Sequence, residues 1–230
     1  MRVLAIGAHP DDLEIYCWGS LCAWRAAGAD LTLAVASDGA AGGAGDPAAL
    51  RARRADEATR AAAALGVEPR FLGFPDGRLM PDAALVDALR ALVAEVRADL
   101  VLTHAAVDYH PDHRALAAAA SQASGFAAPL LAMDTMNGTG FVPTHWVDTT
   151  AYHAAKGAAI RCHASQEPER FVAAADRLAA FRAGEGNGPP GARVEAFRFE
   201  PRFPFADIRA LLPPPPPLRP VARRDGPAGA

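Results

Sequence analysis

The sequence predicts an α/β protein, a three-layer, Rossmann-like sandwich around a mostly parallel sheet. Three observations lead there. Short apolar runs alternate with longer stretches of helical periodicity, the pattern of successive β–α–β units. Glycines stand where the helical stretches stop, at Gly28 and Gly66, as residues just past a helix end do. The chain has 230 residues, 51% of them hydrophobic, enough to bury a sizeable core.

In chain order, residues 3–7 read as a short buried strand and 13–27 as a helix stopped by Gly28. Residues 31–37 form a second strand, followed by a glycine-rich segment at 38–45 that cannot hold regular structure cheaply and is expected to be a mobile loop. A helix rich in Ala, Arg and Glu covers 47–65. Strands at 70–73 and 99–103 enclose a helix over 81–97, and a further helix ends near Ala120. Residues 128–133 and 145–148 read as strands, 150–162 and 167–183 as helices. Residues 194–200 alternate apolar and polar side chains, as an edge strand does. From Pro201 the periodicity fails, and 213–217 is a run of five prolines. The expected organisation is one domain over 1–205 and a proline-rich, flexible tail over 206–230.

Charged residues make up 21% and the net charge is −3, which argues against a protein that coats nucleic acid and for a small-molecule ligand. Three cysteines, Cys17, Cys22 and Cys162, are too few for a disulfide framework, and burial suits them better than metal binding. The opening lacks the apolar run of a signal peptide, and no stretch approaches the 18 or more apolar residues of a membrane span. The expected location is therefore the cytoplasm, with no membrane partner. An alanine-rich surface makes a homo-oligomer plausible.

Two short segments concentrate metal-type side chains. One runs Ala8-His9-Pro10-Asp11-Asp12-Leu13-Glu14, directly after the first strand. The other runs Asp108-Tyr109-His110-Pro111-Asp112-His113, shortly after the strand at 99–103. Both fall at the carboxyl ends of strands, where open α/β sheets bind ligands. A hydrolytic zinc site needs three protein ligands and one open position. A histidine–aspartate–histidine set drawn from two loops meets that need. A neighbouring carboxylate that is not a ligand can then take a proton from water. Each segment taken singly can also be a helix start, with Asp11 or Asp12 capping one helix and Asp108 the other. Two caps do not need three histidines, however, and the pair of segments favours a metal site. The glycine-rich stretch 39–45 invites a nucleotide-binding reading. It has neither the position of a G-x-G-x-x-G turn after the first strand nor a GK[ST] ending. A purely structural metal site would close its coordination with four protein ligands.

At these residues the sequence resembles the PIG-L/LmbE-like deacetylases, which carry an AHPDD segment after the first strand and an HPDH-type segment after a later one. Residues 37–39, Arg54 with Glu57, 71–77 and 162–166 add to the likeness. The resemblance implies a zinc-dependent hydrolase that removes an N-acetyl or similar N-acyl group from an amino sugar or its conjugate. A wider alternative is an amidase acting on a larger thiol-conjugate or natural-product amide. It implies His9, Asp12 and His113 as ligands of Zn2+ or another divalent ion, with Asp11 as general base. It also implies that His110 stabilises the oxyanion or protonates the leaving amine, and that Asp112 orients a histidine. Arg54 matches a sugar-hydroxyl contact, and Asp76 lies in a loop on the same edge. Where relatives carry glycines after the acidic motif, this chain has Tyr16 and Trp18. These aromatics either wall the pocket or pack in the core. His163 can border the pocket, while His104, His145 and His153 read as ordinary structural or surface histidines.

Overall fold

A computed structural model of the chain describes residues 1–220. Its sheet has seven strands: β1 (Arg2–Gly7), β2 (Asp30–Ser37), β3 (Arg70–Phe74), β4 (Leu100–Thr103), β5 (Leu130–Met133), β6 (His145–Asp148) and β7 (Val194–Phe199). They lie in the order β3-β2-β1-β4-β5-β7-β6. The first five are parallel, and β7 runs antiparallel to both β5 and β6. The helices are α1 (Asp12–Tyr16), α2 (Trp18–Ala26), α3 (Pro47–Ala63), α4 (Ala83–Val96), α5 (Pro111–Ser124), α6 (His153–Arg161) and α7 (Pro168–Glu185).

The three layers follow from the alternation of side chains along the central strand. Val3 and Ala5 of β1 point into one core, with Leu21 and Trp24 of α2, Ala61 of α3 and Ile160 of α6. Leu4 and Ile6 point into the other, with Leu89 of α4 and Leu116 of α5. All four of these strand residues are fully buried, as expected of a strand covered on both faces. The expected fold class is therefore the observed one.

Topology also places the site. From β1 the chain winds outward through β2 and β3, then returns to lay β4 and β5 on the other side of β1. The loops leaving β1 and β4 thus diverge at a topological switch point, the place where such sheets open a crevice.

Three expectations need correction. The helix expected over 13–27 is two helices, α1 and α2, broken at Cys17 (φ −140°). The break frees the start of α2 to be capped by a side chain from the far end of the fold. Glu195 of β7 accepts hydrogen bonds from Gly19 N (2.9 Å) and Ser20 N (2.8 Å), and Lys156 donates to the same carboxylate at 2.6 Å. Gly19 must be glycine, since a Cβ there would lie 2.6 Å from the Thr149 Cβ. Secondly, β7 is an interior strand rather than an edge, and the sheet ends at β6. Its polar position Glu195 is buried by the cap it makes. Thirdly, the stretch 206–220 is docked rather than free. Ile208 is 1% exposed within the core, Trp24 Nε1 donates to Leu211 O (2.8 Å), and Asp148 N donates to Pro214 O (3.1 Å). The remainder of the expected tail, 221–230, lies outside the described residues. No helix among the described residues is long and apolar enough to cross a membrane.

Candidate metal centre

The turn from β1 into α1 presents His9, Asp11 and Asp12 from four consecutive residues. Asp12 is fixed locally, its Oδ2 accepting the His9 backbone N–H at 2.7 Å. Asp11 stands at the N-cap position but its side chain caps nothing, and its backbone takes φ 155° and ψ −18°. L residues seldom adopt that conformation, and sites of function are where such strain persists. The capping alternative for Asp11 is thus not realised. At the second segment the helix start is real, but the cap is His110. Its Nδ1 accepts from Asp112 N at 3.2 Å, with Pro111 in the first turn.

Packing of α5 against the β1 loop brings three donor groups together, each histidine meeting a different oxygen of Asp12. His9 Nδ1 and His113 Nε2 are 3.2 Å apart, His113 Nε2 and Asp12 Oδ1 3.3 Å, and His9 Nδ1 and Asp12 Oδ2 3.5 Å. Tetrahedral zinc with bonds of about 2.0–2.1 Å separates its ligands by roughly 3.3 Å, so the spacing fits a divalent ion of that size. The opposite nitrogen of each histidine faces a carboxylate. His9 Nε2 lies 3.1 Å from Asp76 Oδ1 and 3.3 Å from Asp112 Oδ2, and His113 Nδ1 lies 3.2 Å from Asp108 Oδ2. Carboxylates in that position fix the tautomer and raise the basicity of a ligating imidazole. Asp112 is held in turn by the backbone N–H groups of Gly77 (2.8 Å) and Leu79 (3.2 Å).

The electrostatics tell the same story. Burial alone would lower the His9 imidazole, but Asp112, Asp12 and Asp76 outweigh it and push His9 up to about 12. His113 goes up to about 9, Asp12 and Asp108 overcoming its burial. A centre that drives its histidines to carry protons is one with negative charge to spare for a cation. Asp11 behaves differently. Burial raises its carboxyl to about 6, although Arg54 beside it pulls the other way. His110 is lowered, by burial and by the neighbouring His9 and His113, and is neutral. Because its Nδ1 accepts a hydrogen bond, the proton of the neutral ring sits on Nε2.

A cavity of about 330 Å³ opens over the cluster, with Asp11, Tyr16, Arg54, Asp76, Tyr109 and His110 among its walls and Met136, Gln166 and Phe171 at its far side. Arg54, 3% exposed, is neither a solvated helix arginine nor free for substrate alone. It donates to Gly39 O (3.0 Å), Pro10 O (3.4 Å) and Asp11 Oδ2 (3.3 Å). Gly42 packs so closely on it that a Cβ would meet its Nη1, which is why the 38–45 segment needs a small residue there. Asp76 lines the cavity while contacting His9. Tyr16 also lines it, but Trp18, expected beside it, is fully buried in the core and is not a wall residue. The break at Cys17 accounts for the difference, turning residue 18 away on a new helix.

His104, read from the sequence as an ordinary histidine, is a buried member of the cluster. It is 1% exposed, its Nε2 lies 3.0 Å from Asp12 Oδ2 and 3.1 Å from Ala8 N, and its ring stacks on His113 at 3.7 Å. The signal was present, since His104 directly follows β4 at the carboxyl edge. His163 is buried 3.5 Å from Glu14, whereas His153 pairs with Asp176 and His145 sits half-buried on β6. Cys17 is buried with its thiol on Leu13 O, and no cysteine joins the donor groups found among the described residues.

A mostly parallel α/β sheet with a buried histidine–carboxylate cluster at its switch point defines the class of protein: one whose clustered donor groups could hold a divalent ion at the floor of a cavity. Residues 4–124, more than half of the chain, match the PIG-L family (GlcNAc-PI de-N-acetylase), and the chain belongs to that family. No curated protein sequence matches it. Solved structures share the fold. The 4-carboxy-2-hydroxymuconate hydratase GalB of Pseudomonas putida KT2440 is 22% identical with a TM-score of 0.74, covering 87% of this chain and 97% of its own. N,N'-diacetylchitobiose deacetylase of Pyrococcus horikoshii is 23% identical with a TM-score of 0.74, covering 86% and 83%. A zinc-inhibited form of teicoplanin deacetylase is 21% identical with a TM-score of 0.69, covering 87% and 99%.

Proposed function

We propose that the protein is a metal-dependent N-deacetylase, hydrolysing the N-acetyl or similar N-acyl group of an amino sugar or amino-sugar conjugate to a free amine and a carboxylate. The observation that carries this reading is the triangle of His9, Asp12 and His113 donors with Asp11, a carboxylate of raised pKa, beside it on the cavity wall. Those three residues would hold the ion. When bound, a divalent ion supplies Lewis acidity for an amide carbonyl and lowers the pKa of water.

The remaining steps belong to the chain. Asp11, ionised at neutral pH and oriented by Arg54, takes the proton of the attacking water. His110 offers its Nε2–H from the cavity wall to the oxygen on which charge develops. Asp11 then returns the proton to the departing nitrogen, so that water is added across the C–N bond, and the acid product ionises to the carboxylate by giving its proton to the amine or to solvent. Asp112 and Asp76 hold His9, and Asp108 holds His113, as positioning residues.

Zinc is the reading the donor set supports best, with a harder divalent ion as the alternative. The zinc-inhibited state of the teicoplanin enzyme makes the metal itself a variable to test. The experiment is metal analysis of the purified protein followed by an amine-release screen. N-acetylated amino sugars and their glycosides are offered to protein loaded with zinc, cobalt or manganese. Chelator-sensitive release of amine is the expected result. Bound metal without release from any member of the panel would overturn the deacetylase reading and favour a wider amide or a hydration reaction, the latter being the chemistry named for GalB.

A further inference from the structure

A second cavity of about 300 Å³ adjoins the first, lined by Val107, Tyr109, Thr135, Met136, Asn137 and Thr139. Tyr109 and Met136 line both, so the two form one groove with those side chains as the ridge between its halves. The first half, about 330 Å³, lies at the small end of ligand sites and suits a single sugar unit.

The outer half is built rather than incidental. Its floor is the irregular segment after β5, pinned from behind by a buried ion pair. Asp134 accepts from Arg182 Nε (2.6 Å) and Nη2 (3.1 Å), and also from Thr135 N (2.7 Å). Thr135 Oγ1 closes the turn on Thr139 O at 2.8 Å. Asn137 sits at φ 57°, and a Cβ on Gly138 would lie 2.9 Å from Arg182 Nη2. Burying a charge pair is costly, and here it holds one strained turn against the groove. The groove's exposed face carries Val107 and the Tyr109 ring, both more than half exposed, with the Met136 thioether. None of its six lining residues among the described residues is charged.

We infer that this outer half is the aglycone subsite of the proposed deacetylase, and that it takes an uncharged group with a flat apolar face, an aryl group in its simplest form. The inference rests on the amino-sugar reading above and adds the half of the substrate that is not cut. An anionic aglycone, such as a phosphodiester, finds no cation in this half of the groove.

The test uses reaction products, which cannot turn over. Phenyl and methyl glycosides of glucosamine, and glucosamine 1-phosphate, are titrated calorimetrically into the metal-loaded protein. The phenyl glycoside is expected to bind about tenfold more tightly than the methyl one, the gain from burying one ring face. The phosphate is expected to gain nothing. Val107→Asp removes the phenyl advantage and Val107→Leu retains it. Equal affinities for phenyl and methyl, absence of binding by both, a gain for the phosphate, or a phenyl advantage untouched by Val107→Asp would overturn the inference. Amine release from the N-acetylated phenyl and methyl glycosides is followed in parallel. Release with equal affinities leaves the deacetylase reading standing without this subsite. A phenyl advantage without release leaves the subsite standing without that reaction.

Discussion

The strands on either side of the switch point and the antiparallel pair at the far edge both bury charge, but they bury it differently. Beyond β1 and β4, eight histidines and aspartates crowd one crevice, with two imidazole nitrogens facing each other at 3.2 Å and a carboxyl pushed up to about 6. Around β7 the buried ions are matched pairs, Lys156 with Glu195 and Arg182 with Asp134, each donor meeting an acceptor at 2.6 Å. The first arrangement is incomplete by itself and acquires its sense from a cation and a substrate. The second is complete and serves position, capping α2 in one case and holding the turn at 134–139 in the other. Substitutions in the first region should therefore remove activity with little loss of fold, and in the second should damage the fold.

The largest effect is expected at Asp11. Asp11→Asn keeps the shape and removes the base, so amine release should fall about 10²–10⁴-fold while bound metal stays at wild-type stoichiometry. Loss of metal from this variant, with metal retained by Asp12→Asn, would reverse the two roles. The pH profile gives the sign independently. The base form exists above the pKa of the carboxyl, so activity falls as pH drops through it. Burial places that value at about 6, and a bound cation can only lower it. Arg54 lowers Asp11, so Arg54→Gln should move the acid limb to higher pH. An unmoved limb would show that Arg54 does not act through Asp11.

Next is the matched region. Arg182→Ala leaves Asp134 buried without its cation and should cost about 3–5 kcal/mol in chemical unfolding, without removing bound metal. A loss below about 1 kcal/mol would mean that the pair is not what holds the turn at 134–139, and the contrast between the two regions would weaken.

The sequence showed the first region far better than the second, for a physical reason. The reactive groups cluster in two short segments, and the parallel strands are wholly apolar runs, so both could be read from local order. Glu195 looked like the outward position of an edge strand because its partners, Gly19 and Ser20, are some 175 residues away. Nothing local reveals such a cap. The same holds for residues 206–220, whose prolines break periodicity yet whose Ile208 and Leu211 reach back to the core and to Trp24. His104 was obscured because its segment, unlike the two motifs, carries no second ionisable residue beside it.

The smallest effect expected lies where the two regions meet, at Tyr16. Its ring touches His104 and His113 edge-on at 5.5 and 5.9 Å, and one side of it lines the first cavity. Behind it a gap of about 10 Å³ leads toward Lys156, Glu195 and Arg182. The hydroxyl is buried with no partner among the described residues, and burial together with Asp12 and Asp108 keeps it protonated. An unpartnered buried hydroxyl costs stability, so Tyr16→Phe should leave the unfolding free energy unchanged or raise it by up to about 1 kcal/mol. If the hydroxyl serves the cavity, the same substitution raises KM a few-fold with kcat nearly constant, because it removes a hydrogen bond made equally to bound substrate and transition state. A fall in stability of about 1 kcal/mol with unchanged kinetics would instead assign the hydroxyl to the polar network behind it, and the boundary between the reactive and the supporting halves would then run along the cavity side of this ring.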